Sequence, residues 1–159
     1  MAIFSNGSGT NIDLELTPKG TGRVEAIGPT AIQEVFEKAT VSATAATGTI
    51  NYDVMTQAVL YYTSNASGNW TLNIRGDASN SLDSIMSTGE SMTIAHLVTM
   101  TTAYYNSAVQ VDGSSVTPEW QGGSAPTGGN ASSVDVYSYT VIKTGSATFK
   151  VFASQTQFA

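Results

Sequence analysis

The chain has one histidine, His96, the side chain whose ordinary pKa best suits proton transfer near neutral pH. A general base needs solvent access and an orienting carboxylate, and a metal site needs partner ligands within reach. His96 instead alternates with Met92, Ile94, Val98 and Met100, which puts it on the apolar face of a strand. The expectation is a hydrogen-bonded core or interface histidine. Serine-nucleophile chemistry has no elbow of the form G-x-S-x-G to use. The carboxylates Asp53, Asp77, Asp83, Glu90, Asp112, Glu119 and Asp135 stand singly, and nothing marks two of them as a glycosidase pair. Residues 77–83 (DASNSLD) begin and end like a calcium loop, but lack the alternate acidic ligands, the central glycine and the closing glutamate. Asp77 and Asn80 are therefore expected to cap turns.

Three short motifs reduce to turn chemistry or composition. Gly20-x-Gly22 lacks the third glycine and the strand-turn-helix setting of a dinucleotide site. Arg75-Gly76-Asp77 spells an adhesion tripeptide at a strand end, where Gly-Asp is ordinary turn material. Asn6, Asn65, Asn69 and Asn130 head glycosylation sequons in a chain already rich in Asn, Ser and Thr. No catalytic residue, cofactor or metal follows from these patterns, and the expected function is non-enzymatic.

The aromatic residues carry more. Tyr61, Tyr62, Trp70, Tyr104, Tyr105, Trp120, Tyr137 and Tyr139 offer flat faces for sugar stacking or interfaces. Trp70 alternates cleanly with Leu72 and Ile74 and belongs to a core. Trp120 opens the long Gly-rich loop 121–133 (QGGSAPTGGNASS), so Trp120, Gln121 and Asn130 are the candidate exposed contacts. Their ligand would be a host surface glycan.

The elements that position these residues read as strands. Residues 54–63, 69–75, 91–100, 109–111, 134–143 and 147–152 are strand-like, with a short helical turn around Leu82, Ile85 and Met86. Asp112-Gly113 is a hairpin signal, and the last two strands pair around 144–146. Upstream, residues 16–24 (LTPKGTGRV) read as a hairpin that Ile12 and Leu14 enter and Val24 and Ile27 leave. A helical turn is expected at residues 30–33 and an extended segment from about Val35. The fold class is all-β: an antiparallel β-sandwich or jelly-roll-like domain over residues 31–159, preceded by a hairpin arm over 1–30. Leu14, Leu16, Pro18, Lys19, Arg23 and Val24 of that arm are candidate attachment or oligomerisation residues. Val59 and Tyr61 oppose Leu60 and Tyr62, and Val136 and Ile142 oppose Tyr137, Tyr139 and Val141. Apolar residues on both faces point to cover by another subunit and to a homo-oligomer.

Composition narrows the partners. Only 11% of the 159 residues are charged and the net charge is −6, so no phosphate-tracking basic stripe exists and nucleic acid is an unsuited partner. The hydrophobic share of 41% suffices for a core, yet no stretch approaches the ~20 apolar residues of a membrane span. There is no cysteine, and the opening MAIFSNGSG lacks the basic and apolar regions of a signal peptide. Both fit synthesis in a reducing cytosol.

The hairpin wording LTPKGTGRV resembles short β-hairpins in structural proteins of tailed bacteriophages. Residues 61–76 (YYTSNASGNWTLNIRG), 87–97 (STGESMTIAHL), 109–123 (VQVDGSSVTPEWQGG) and 142–159 (IKTGSATFKVFASQTQFA) are similar to a module reused in virion proteins of such phages, cyanophages included. The resemblance implies a virion protein assembled in the host bacterial cytoplasm, with the major capsid protein or a tail protein as partner. It carries no catalytic residues over. Because no repetitive shaft surrounds the hairpin, a capsid-decoration or knob-like protein is expected ahead of a tail-fibre or tail-tip component.

Overall fold

The structure is a computed structural model that describes residues 16–158. It divides into two compact units that part between Val35 and Phe36. In the first, the Gly22 N–H donates to the Lys19 carbonyl at 3.1 Å and Gly20 sits at φ +62°, which is the tight turn expected at this sequence. No strand and no helix is assigned over residues 16–38. The hairpin therefore shows its turn without ladder strands among the described residues, and the helical turn at 30–33 does not form. A two-stranded ribbon with no third strand or packing face is marginal, as is so short a helix. Leu16, Val24, Ile27 and Ile32 are all exposed. Leu14 and Ile12 lie outside the described residues.

The second unit is all-β, in two sheets. Strands β1 (Ala39–Ala45), β2 (Gly48–Asp53), β3 (Val59–Ser64) and β4 (Trp70–Arg75) come first, then one helical turn, α1 (Leu82–Ile85). β5 (Ser91–Met100), β6 (Asn106–Val111), β7 (Ser114–Val116), β8 (Glu119–Trp120), β9 (Ser133–Gly145) and β10 (Thr148–Phe158) follow. One sheet has the order β1-β3-β5-β9-β10-β8, the other β2-β4-β6-β7. From β1 to β6 the chain changes sheet at every step, so β1, β3 and β5 lie parallel, as do β2, β4 and β6. This is a coil of three turns.

The expected antiparallel pairing is thus only part of the arrangement. It holds for β5–β9, β9–β10 and β6–β7. The physical reason is at the corners. The link Ala46-Thr47 does not hairpin back but steps to the other sheet, and β3 then returns beside β1. Small residues let successive corners stack. Ala46 and Ala66 are buried, the Ser67 N–H donates to the Ala46 carbonyl at 3.0 Å, and the Ala66 N–H donates to the Thr99 carbonyl at 2.9 Å. A Cβ on Gly68 would stand 3.0 Å from the Thr47 hydroxyl, a tight contact between these two corners.

Parallel register stacks like on like. Ile50, Leu72 and Val109 form one inward row; Asn51, Asn73 and Gln110 form the outward row beside it. Asn73 Nδ2 donates to Asn51 Oδ1 at 2.8 Å, and Arg75 Nε donates to Asp53 Oδ1 at 2.6 Å. The two sheets share one core. The Trp70 ring of the smaller sheet meets the rings of Tyr137 and His96 of the larger edge-on, at centroid distances of 5.4 and 6.0 Å.

Candidate functional site

His96 lies in β5 on the inward row Leu60–His96–Tyr137. It is fully buried, and neither ring nitrogen has a hydrogen-bond partner. It packs edge-on against Tyr62 at 5.2 Å and against Trp70. The core placement matches expectation; the expected hydrogen bond is missing. Burial alone lowers its pKa to about 3, so it stays neutral and does not exchange protons near pH 7.

A polar group sits in the same core near the start of β9. Asp135 is buried, with Oδ2 accepting from Gln155 Nε2 at 2.6 Å and from the Asn130 N–H at 3.2 Å. Burial pushes its carboxyl up, and those two bonds pull part of the way back. Gln155 Nε2 also reaches the Gly128 carbonyl at 3.1 Å and the Tyr137 hydroxyl at 3.0 Å. A Cβ at Gly129 would collide with the Tyr104 carbonyl oxygen. These contacts latch the base of the loop between β8 and β9. Asn130 is part of that latch: it is half-buried, and its side chain donates to the Phe158 carbonyl at 3.5 Å. The sequence signal for the latch was an acid at an inward position of β9, next to Tyr137 and Tyr139.

Trp120 is placed differently. It is half-buried in β8, opposite Ala153 of β10, and its ring meets Tyr139 at 6.2 Å. On one side it walls a cleft of ≈460 Å³ with Asn106, Val116, Pro118 and Pro126. On the other it borders a depression of ≈330 Å³ with Gln121, Thr140 and Phe152. The structure keeps Trp120 and Gln121 together and does not bring Asn130 to them. Glu119 beside Trp120 is paired with Lys150 Nζ at 2.5 Å.

The remaining charged candidates are occupied. Arg75 pairs with Asp53, while Asp77 accepts from the Ser79 N–H at 2.7 Å and the Asn80 N–H at 2.8 Å. That is the turn-capping work expected of Asp77. Asp83 is paired with Lys143 at 2.7 Å, which holds its carboxyl below the usual range. Asp112 accepts from the N–H groups of Leu82 and Asp83 at the start of α1. Among the described residues no three His, Asp or Glu side chains gather as a metal set, and no helix is long and apolar enough to cross a membrane. Of the candidate attachment residues, Leu16, Pro18, Lys19, Arg23 and Val24 are exposed, with Arg23 Nε bound to Glu25 at 2.6 Å.

The largest feature is a whole face. Register fixes the outward row Val41–Tyr61–Leu97–Val136–Thr156 across the six-stranded sheet. Its neighbours Val59, Ala95 and Ser138 form a second row. No outward position on β1, β3, β5 or β9 carries a charge. The outward face of the smaller sheet, with Asn51, Asp53, Asn73 and Arg75, is polar in the ordinary way. The odd-numbered run Thr93, Ala95, Leu97, Thr99 was the signal in the sequence for an uncharged outer face.

Comparison with protein-family models, with curated proteins and with solved structures finds no match to this chain.

The buried histidine sets a pH dependence. Its folded pKa lies below its unfolded value, so the unfolded state takes up the proton first as pH falls. Stability contributed by neutral His96 is complete above about pH 6.5 and drains away as pH drops toward 3, by up to a few kcal/mol. Denaturant unfolding of His96→Phe should show a shallower loss between pH 6.5 and 4 than the parent chain. Equal slopes would place the proton elsewhere.

Proposed function

We propose that this chain is a non-enzymatic structural protein of a tailed-phage virion, a capsid decoration or knob that presents its β-domain as a compact sandwich-like module on the particle. The observation that carries this reading is the uncharged outer face of the six-stranded sheet, with Val41 66% exposed and Tyr61, Leu97 and Val136 half-buried. Its apolar members Val41, Val59, Tyr61, Leu97 and Val136 adjoin one another across β1, β3, β5 and β9, and adjoining apolar groups on a surface favour its being covered in use. Its partners are the major capsid or tail protein and further copies of the chain. A neutral His96 sealed in the core and carboxylates tied up in turns and ion pairs support a role without catalysis. Leu14, Leu16, Pro18, Lys19, Arg23 and Val24 supply the attachment segment; exposed Leu16 and Val24 favour this.

A second reading has its own observation. Trp120 stands between two depressions beside Pro118 and Pro126, which suits stacking of a neutral sugar ring from a host surface glycan. On this reading the chain is a tail-fibre or tail-tip component.

Deleting residues 1–28 should abolish association with purified particles, scored as copies per virion. Stoichiometric retention would contradict the attachment role. Adsorption of the purified chain to host cells, lost on Trp120→Ala with the fold intact, would instead promote the second reading.

A further inference from the structure

The two ends of the coil are finished differently. At the last strands the edges are blunt: β7 has 3 residues and β8 has 2, Pro118 stands between them, and the Glu119–Lys150 ion pair lies along the β8–β10 edge. Short strands, proline and charge are the devices that keep an edge from pairing with another chain. On β1, the edge of the larger sheet at the first turn, they are missing. β1 (ATVSATA) has 7 residues with no charge and no proline, and β3 is its one neighbour among the described residues. A bulge interrupts the β1–β3 pairing between Ser42 and Ala45, and the stretch before it is regular. Before the bulge, alternate main-chain N–H and C=O groups of β1 therefore point away from the sheet with no ladder to join among the described residues. The Ser42 and Ala43 carbonyls accept from the Thr63 and Ser64 hydroxyls of β3 at 3.2 and 2.7 Å.

We infer that β1 is a self-association edge, and that it pairs antiparallel with β1 of a second copy across a two-fold axis. The side chains fit a copy of themselves. Thr40, Ser42 and Thr44 share one face of the strand, and Ala39, Val41 and Ala43 the other. Centred on Val41, the two-fold sets Val41 against Val41 and Thr40 against Ser42, within the regular stretch before the bulge. Apolar meets apolar at the centre and no like charges oppose each other. The Thr40 and Ser42 hydroxyls are already satisfied within their own chain, by Gln57 Oε1 at 2.9 Å and the Thr44 hydroxyl at 2.8 Å. A foreign strand selected by charge would find nothing on this edge to read. Self-pairing also joins two uncharged outer faces into one continuous surface, in a chain whose net charge of −6 otherwise resists association. The interface is isologous and closes on itself, so it gives a dimer and no fibre.

The test uses the full-length purified chain without particles, so its failure leaves the virion reading standing. Val41 is 66% exposed on the outer face, so Val41→Lys and Val41→Glu leave the core untouched. The parent should sediment as a concentration-dependent dimer. Each variant alone should weaken that dimer at least about tenfold, and an equimolar mixture of the two should restore it. In a chain with no cysteine of its own, Val41→Cys should oxidise to a covalent dimer. A parent that stays monomeric overturns the inference, as does a dimer indifferent to both charges. So does a mixture that fails to re-form, or a Val41→Cys chain that oxidises no faster than a cysteine placed at Thr144.

Discussion

The structure depends on how the chain turns its corners. Ala46-Thr47 and the five residues 65–69 carry each strand into the opposite sheet, where a hairpin would have carried it back along its own. Everything downstream follows from that step. Strands two apart become parallel neighbours, side chains stack in register, and Asn51 finds Asn73 while Asp53 finds Arg75. A coil also has ends. Here the long hairpin β9–β10, with the two-residue β8 beyond it, finishes the larger sheet at one end, and β1 stands as the edge at the other.

That scaffold sets the surroundings of His96 and Asp135. Trp70 crosses from the smaller sheet to touch His96 and Tyr137, and so joins the two layers. Sealing the joint strips His96 of water and of hydrogen-bond partners, and the imidazole is left neutral. Asp135 is spent on holding a loop through Asn130 and Gln155. Open to a partner among the described residues are an uncharged sheet face, the uncharged edge strand β1, and the walls around Trp120.

Much of this was legible in the sequence and some was not. β5 was readable to the residue, because strict alternation from Ser91 to Met100 leaves one possible register. Asp112-Gly113 announced its hairpin, and both residues adopt positive φ, at 50° and 79°. The β9–β10 pair announced itself likewise. The parallel half was hidden, since a strand of given length and alternation looks the same whether its neighbour is reached by a hairpin or by a corner. Residues 54–58, expected within a strand, are the corner that leads into β3. The site shows the same split. Trp120 and Gln121 lie together as their adjacency implied, whereas Asn130 is drawn into the latch by an acid whose partner, Gln155, sits 20 residues away.

The central claim is that this fold is built to be covered, beginning at the edge of its first turn. Amide hydrogen exchange on the purified chain, resolved strand by strand over a range of protein concentrations, addresses it most directly. The account predicts that β1 exchanges nearly as slowly as the central strand β5 at high concentration, and becomes fast on dilution while β5 stays slow. Fast exchange of β1 at every concentration, with β5 and β9 protected throughout, would contradict it.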